Sequence, residues 1–364
     1  MGLKQREVKY DYLRTLAVFA IIMVHAIPAE AVNWKQRLFS AAMTPVLLAF
    51  VGIYFMLSGF FLLQSGTENI IDFYWKRFCA IFIPFACYCG IYYWYYNIYL
   101  SLDPIPWYEH VKEYFCALFT ETIPMAPHLW FMYVIMALYL CAPFLARMFQ
   151  AMTDRELKVF LGLILLVQGI CTYLPALGFE VGPGLDYMVF KGWLIYFVLG
   201  YICKRLYPSV SYLLYAGLGA AGLAVTLYQK WVTPAFTPGI HDMALSMIAM
   251  AVSIFFFFER FGDIRVPVLI KAAGFISRYS YSVYLIHYLV LGQIVKEMAE
   301  KTFIRHYYIP RIFFETVLTF IISLAAAVFF DETLVKLLKR SAGAVINGGA
   351  GRKRRNEHGS GKQL

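Results

Sequence analysis

His25 and His287 are the two ionisable side chains that the hydropathy pattern places near the middle of long apolar runs. An ionisable group is costly to bury at such depth. It marks either a functional site facing the protein interior or a water-filled cavity, or a histidine that only hydrogen-bonds a neighbouring helix. His25 closes a stretch that opens with Asp11 and Arg14. At about 100° and 1.5 Å per residue, the steps from Arg14 to His25 make about three turns, so the two side chains share one helical face about 16 Å apart. Asp11 falls on the same stripe, and Ser280, seven residues before His287, falls on the same face as that histidine. A buried imidazole can act as a general base or as a nucleophile that carries a transferred group.

Other residues have both a chemical and a plainer reading. Ser58, in Tyr54-Phe-Met-Leu-Ser58-Gly59, reads as a close-packing position rather than a nucleophile, because no base lies at a helical spacing from it. Lys76 and Arg77 stand shortly before Pro84 and are either an orientation signal or a site for a phosphorylated ligand. Tyr92 to Tyr99 forms an aromatic belt or a platform for sugars. His128 and Trp130 open another apolar run at the expected outer surface, as interfacial residues or as ligand contacts.

The elements that must position these residues follow from composition. The 364 residues are 61% hydrophobic and 15% charged, which defines an all-α polytopic membrane protein. Apolar windows of about 20 residues predict ten transmembrane helices near 12–30, 38–63, 78–99, 128–149, 158–177, 190–206, 209–229, 242–259, 278–297 and 309–330. The first run reaches Ala29 with no small-residue cleavage site, so it reads as a retained span rather than a signal peptide. Most of the 32 Lys and Arg then fall on one side, which predicts that both termini are cytoplasmic. The net charge of +10 thus reads as an orientation signal and not as a nucleic-acid surface. Residues 100–127 read as a long external loop. Spans five to eight read as scaffold, with Gly217, Gly219 and Gly222 as close-packing positions. Arg311 and Glu315 are spaced to pair within the last span. Residues 1–340 form one integral membrane domain, and 341–364 a disordered basic tail.

Soluble-enzyme signatures are missing from the sequence. There is no Gly-rich phosphate loop, no His-Glu-x-x-His and no Gly-x-Ser-x-Gly. The seven cysteines lack metal-ligand spacing, so no metal is expected.

Several of these stretches, in order, resemble the membrane-bound acyltransferase family 3, which includes bacterial glycan O-acetyltransferases. The matching residues are Asp11, Arg14 and His25; Tyr54, Ser58, Gly59 and Phe60; Phe73, Lys76, Arg77 and Pro84; His128, Trp130, Tyr139 and Pro143; and Ser280, Tyr284 and His287. The chain is most similar to short members that lack an extra hydrolase-like domain. The resemblance implies acetyl-CoA as donor, a hydroxyl of a surface or lipid-linked glycan as acceptor, and a multi-pass location in the bacterial cytoplasmic membrane. It implies His25 as base or nucleophile, and His287 and Ser280 as groups that orient the acceptor or donate to the developing oxyanion. Arg14, Lys76, Arg77 and Arg278 would meet the coenzyme A phosphates, and His128 and Trp130 the acceptor. Where many members carry a further arginine, this chain has Ala80. These expectations predict one continuous cavity, basic at its inner mouth and lined at its outer mouth by His128, Trp130 and residues 100–127, within which His25 and His287 approach closely enough for one small acyl group to touch both. A lipid-linked glycan exporter or proton-coupled transporter is the alternative, although no internal repeat of the kind common in transporters is detectable.

Overall fold

The computed structural model describes residues 7–343 except 30, 65–68, 102–104, 177, 181, 183, 185–189, 207–209 and 233–242. Among these residues there is no strand. Eleven helical segments follow one another. They are α1 (Val8–Ala26), α2 (Trp34–Leu62), α3 (Ile70–Tyr99), α4 (Trp107–Phe119), α5 (Trp130–Ala151), α6 (Asp154–Ala176), α7 (Trp193–Leu206), α8 (Tyr212–Val232), α9 (Leu245–Phe261), α10 (Pro267–Val290) and α11 (Tyr308–Phe330).

Local chemistry sets several of their ends. Asn33 caps α2 by accepting from the Gln36 amide at 3.0 Å, and Asn69 caps α3 by accepting from the Ile71 amide at 2.9 Å. Helix α1 stops at Ala26 because Ile27 is extended and Pro28 follows, and a residue before proline is disfavoured in helical conformation. His25 therefore sits in the last turn of its helix instead of mid-span. Helix α3 contains a π turn over Phe78–Phe82, directly before Pro84, where the missing proline N–H disrupts the regular ladder. Helix α10 runs through a π turn, Leu291–Val295, into a short helix, Lys296–Glu300, so His287 lies well inside a longer rod.

A described helix overlaps each of the ten expected spans. Five are long and apolar enough to cross a bilayer by length and composition: Trp34–Leu62, Ile70–Tyr99, Pro127–Ala151, Asp154–Pro175 and Tyr308–Gly343. The protein is an all-α polytopic membrane protein. One correction concerns residues 100–127, which hold a helix, α4, and not only loop. At 13 residues, with just Ala117 and Leu118 buried, α4 is too short and too polar for an apolar window to register. Of the expected tail, 341–343 finish the last helical run, and 344–364 lie outside the described residues.

Helix α1 is the centre of the packing, in contact with α2, α10 and α11. Its first turn is fixed to the end of α9, where Lys9 pairs with Glu259 at 3.1 Å and the Tyr10 hydroxyl donates to the same carboxylate. Helices α2 and α7 approach through a reciprocal pair of glycines. A Cβ on Gly59 would strike the Phe197 carbonyl, and one on Gly200 would strike the Met56 carbonyl. In α8, Gly219 and Gly222 lie against Ser253 and Ser246 of α9, as expected of packing glycines, whereas Gly217 faces open space.

Candidate active site

The first turns of α1 and the middle of α10 form one wall of a cavity of about 430 Å³, and α2 and α5 form the other. Asp11, Arg14, Tyr54, Ser58, Tyr139, Arg278, Ser280 and Tyr284 all line it. The stripe read from the sequence thus brings Asp11 and Arg14 to the cavity. Asp11 is buried, with its carboxylate 3.6 Å from the Arg14 guanidinium. Arg14 also lies over the Phe61 ring at 5.1 Å, and its backbone carbonyl accepts from the Tyr54 hydroxyl at 3.3 Å. Arg278 sits at the exposed rim, paired with Glu332 at 2.9 Å. Ser58 is 3.1 Å from the Tyr139 hydroxyl, and Ser280 donates to the Ser277 carbonyl at 2.9 Å.

Arg77 lies elsewhere. It lines a neighbouring apolar cavity of about 320 Å³ with Tyr74, Phe78, Phe82 and Met136, and Ile81 and Tyr139 line both cavities. Its guanidinium lies over Phe73 and Tyr139, at 5.4 and 5.8 Å, and its Nε is buried without a hydrogen-bond partner. Lys76, the next residue on α3, is exposed.

Beyond the larger cavity three histidines meet. The ring centroids of His25 and His287 are 5.4 Å apart, those of His128 and His287 4.9 Å, and those of His25 and His128 6.5 Å. The close approach of His25 and His287 expected from the sequence is present, and α1 packing against α10 produces it. His128 is buried at 4% exposure and does not sit at an open outer mouth. A 3₁₀ turn, Pro127–Leu129, carries it inward. Trp130 instead packs against Trp193, with ring centroids 4.9 Å apart and the planes tilted by 34°.

Hydrogen bonds fix two of the three rings. His287 Nδ1 is 2.6 Å from the Tyr284 carbonyl and His128 Nε2 is 3.2 Å from the Leu285 carbonyl. A carbonyl only accepts, so these nitrogens carry the ring protons. His287 therefore has no ring proton left for an oxyanion while it is neutral, and the Ser280 hydroxyl is likewise committed. Of the two expected roles, orienting the acceptor is the one open to His287. His25 makes no hydrogen bond among the described residues and is only partly buried.

Sequence reasoning missed several participants. Tyr288 stacks on His128 at 5.2 Å and meets His25 edge-on at 5.2 Å. Tyr284 lines the cavity, touches His128 at 5.5 Å and His287 at 5.7 Å, and donates its hydroxyl to the His128 carbonyl. Asp331 accepts from Ser282 at 2.7 Å and from Tyr88 at 3.2 Å, which ties α11 to α10 and α3. Tyr284 stands among the matched residues without a role, and Tyr288 is signalled only by its place next to His287. Among the described residues, the cavity lined by Arg14 includes none of the three histidines, so the single continuous cavity expected from the sequence is not seen there. Tyr284 both lines the Arg14 cavity and touches His128 and His287, and Phe131 packs against it at 5.3 Å. Among the described residues no group of His, Cys, Asp or Glu is arranged to hold a metal ion.

Fold and site together define a polytopic helical membrane protein with an interior site of basic, hydroxyl and imidazole groups. The family model described as an acyltransferase domain, that of acyltransferase family 3, matches residues 7–330, and the chain belongs to this family. It is a membrane acyltransferase. No curated protein and no solved structure matches the chain.

Proposed function

We propose that the protein moves an acetyl group from cytoplasmic acetyl-CoA to a hydroxyl of a surface or lipid-linked glycan, in the cytoplasmic membrane of a bacterium. The observation that carries this reading is the sequence of groups along α1: Arg14 lining a cavity, and about three turns further on His25, whose imidazole makes no hydrogen bond among the described residues. Arginine is suited to bidentate phosphate contacts, so Arg14 and Arg278 at the cavity and Arg77 beside it supply charge for the phosphates of coenzyme A. The acyl end of an extended donor then points towards the histidines. As a base, His25 takes the proton of the attacking hydroxyl as its oxygen bonds to the thioester carbon. The carbon–sulfur bond breaks, and the proton leaves on the coenzyme A thiol. As a nucleophile, His25 carries the acetyl group in between. Either route brings the acyl end past Tyr284, which lines the cavity and touches His128 and His287.

The test is transfer of labelled acetyl from coenzyme A to an extracted surface glycan by the purified protein. An ester-linked label that mild base removes is the expected result. Glycan or proton movement across sealed vesicles with no acetyl transfer would favour the exporter or transporter instead.

A further inference from the structure

The two locked histidines hold something besides their own structure. A neutral imidazole has one ring proton, and the carbonyls of Leu285 and Tyr284 take those of His128 and His287. The opposite nitrogens, His128 Nδ1 and His287 Nε2, are bare acceptors. Both are buried from solvent and neither has a hydrogen-bond partner. Folded proteins leave few buried polar atoms unpaired, so two on adjacent rings, with centroids 4.9 Å apart, call for a donor supplied from outside the chain.

The rings are also held still. The Tyr284 hydroxyl donates to the His128 carbonyl, and Tyr288 lies flat on His128 with 15° between the planes. These contacts link the 3₁₀ turn to α10 in both directions, so neither bare nitrogen can easily turn to find a partner within the protein. His25, whose ring is 5.4 Å from that of His287, is the one imidazole of the three with no such restraint.

We propose that His128 and His287 form a two-point seat for the acceptor, in which the bare nitrogens accept hydrogen bonds from two neighbouring hydroxyls of one molecule. The substrate class is thus a compound with adjacent hydroxyls, as on a sugar ring, rather than an isolated alcohol or an amine. The seat deepens the proposed acyl transfer and rests on that reading of the site. One hydroxyl anchors the acceptor while the other is presented to His25.

The experiment uses the full chain in detergent and ligand-observed NMR without coenzyme A. The probes are the cis vicinal cyclohexanediol, cyclohexanol and cyclohexylamine. The diol is expected to bind about tenfold more tightly than the alcohol, a difference of one hydrogen-bonded pair. His128→Phe and His287→Phe keep a ring but lose the acceptor, and each should abolish the preference. His128→Asn and His287→Gln return an oxygen near the lost nitrogen and should restore part of it. Equal binding of diol and alcohol, as expected if the nitrogens only hold an ordered water, would overturn the seat. So would tighter binding of the amine, or a diol preference that survives in both Phe variants. The wild-type comparison alone decides the matter if those variants do not fold. Because this readout needs no donor, a protein that prefers the diol but moves no acetyl group keeps the seat and loses the acetyl-CoA reading. One that acetylates glycan without preferring the diol does the reverse.

Discussion

Hydrogen bonding divides the labour among three imidazoles that composition would treat alike. His128 and His287 give their ring protons to backbone carbonyls, whereas His25 has no such bond and retains some exposure. Replacing His25 with Ala should lower acetyl transfer by about 10²–10⁴-fold, the usual range for losing a general base. Thermal unfolding should stay close to wild type, since no hydrogen bond is lost. Near-normal turnover in the variant would remove His25 from the chemistry. Arg14→Ala has a different signature, because Arg14 lines the cavity at the end remote from His25. Losing a charge-assisted contact of about 1.5–3 kcal/mol should weaken coenzyme A binding at least tenfold by calorimetry while leaving acceptor saturation unchanged. A change confined to acceptor saturation would reverse the assignment. These two residues, with Asp11, were legible because one helical segment carries them at a periodic spacing. The setting of His128 was not, because its bond to Leu285 joins residues 157 apart in the chain. No periodicity within one segment encodes such a contact.

At the level of elements, apolar length is what the sequence displays best: a described helix overlaps each of the ten expected spans, and five of these are long and apolar enough to cross a bilayer. What it displays poorly is where a helix ends, and which small residues face a neighbour. Pro28 shortens α1 and leaves His25 in its last turn, although the apolar run continues to Ala29. Gly217, Gly219 and Gly222 look alike in sequence, yet only the latter two meet α9. Contact with a partner helix, invisible in the chain, makes the distinction. Gly59→Ala should therefore destabilise the protein by about 1–3 kcal/mol, as overpacking does. Its Cβ meets a backbone carbonyl that cannot rotate aside. Gly217→Ala should be neutral or stabilising by up to about 1 kcal/mol, through helix propensity. Comparing the two melting temperatures by fluorescence-detected size exclusion checks both. Equal effects would mean that the α2–α7 approach is not tight.

For the whole molecule the central question is how a donor and an acceptor meet. The cavity opens beside the first turns of α1, with Arg278 at its rim, while His25 stands near the other end of the same helix. Helix α1 is about 28 Å long at 1.5 Å per residue, close to the hydrocarbon thickness of a bilayer. On the proposed reading that α1 crosses the bilayer, its Arg14 end and its His25 end lie towards opposite faces, with Tyr284 in contact with both the cavity and two of the histidines. That reading predicts transfer across the membrane. In sealed vesicles containing the protein, labelled acetyl-CoA added outside should label glycan trapped inside. It should leave glycan added outside unlabelled, even though molecules inserted in the reverse orientation are present, because those molecules have no donor on the side they require. Opening the vesicles with detergent should make both pools of glycan equivalent. Strong labelling of external glycan by external acetyl-CoA in intact vesicles would show that both substrates enter from one face. The reading of α1 as a helix that presents Arg14 and His25 to opposite faces would then fall.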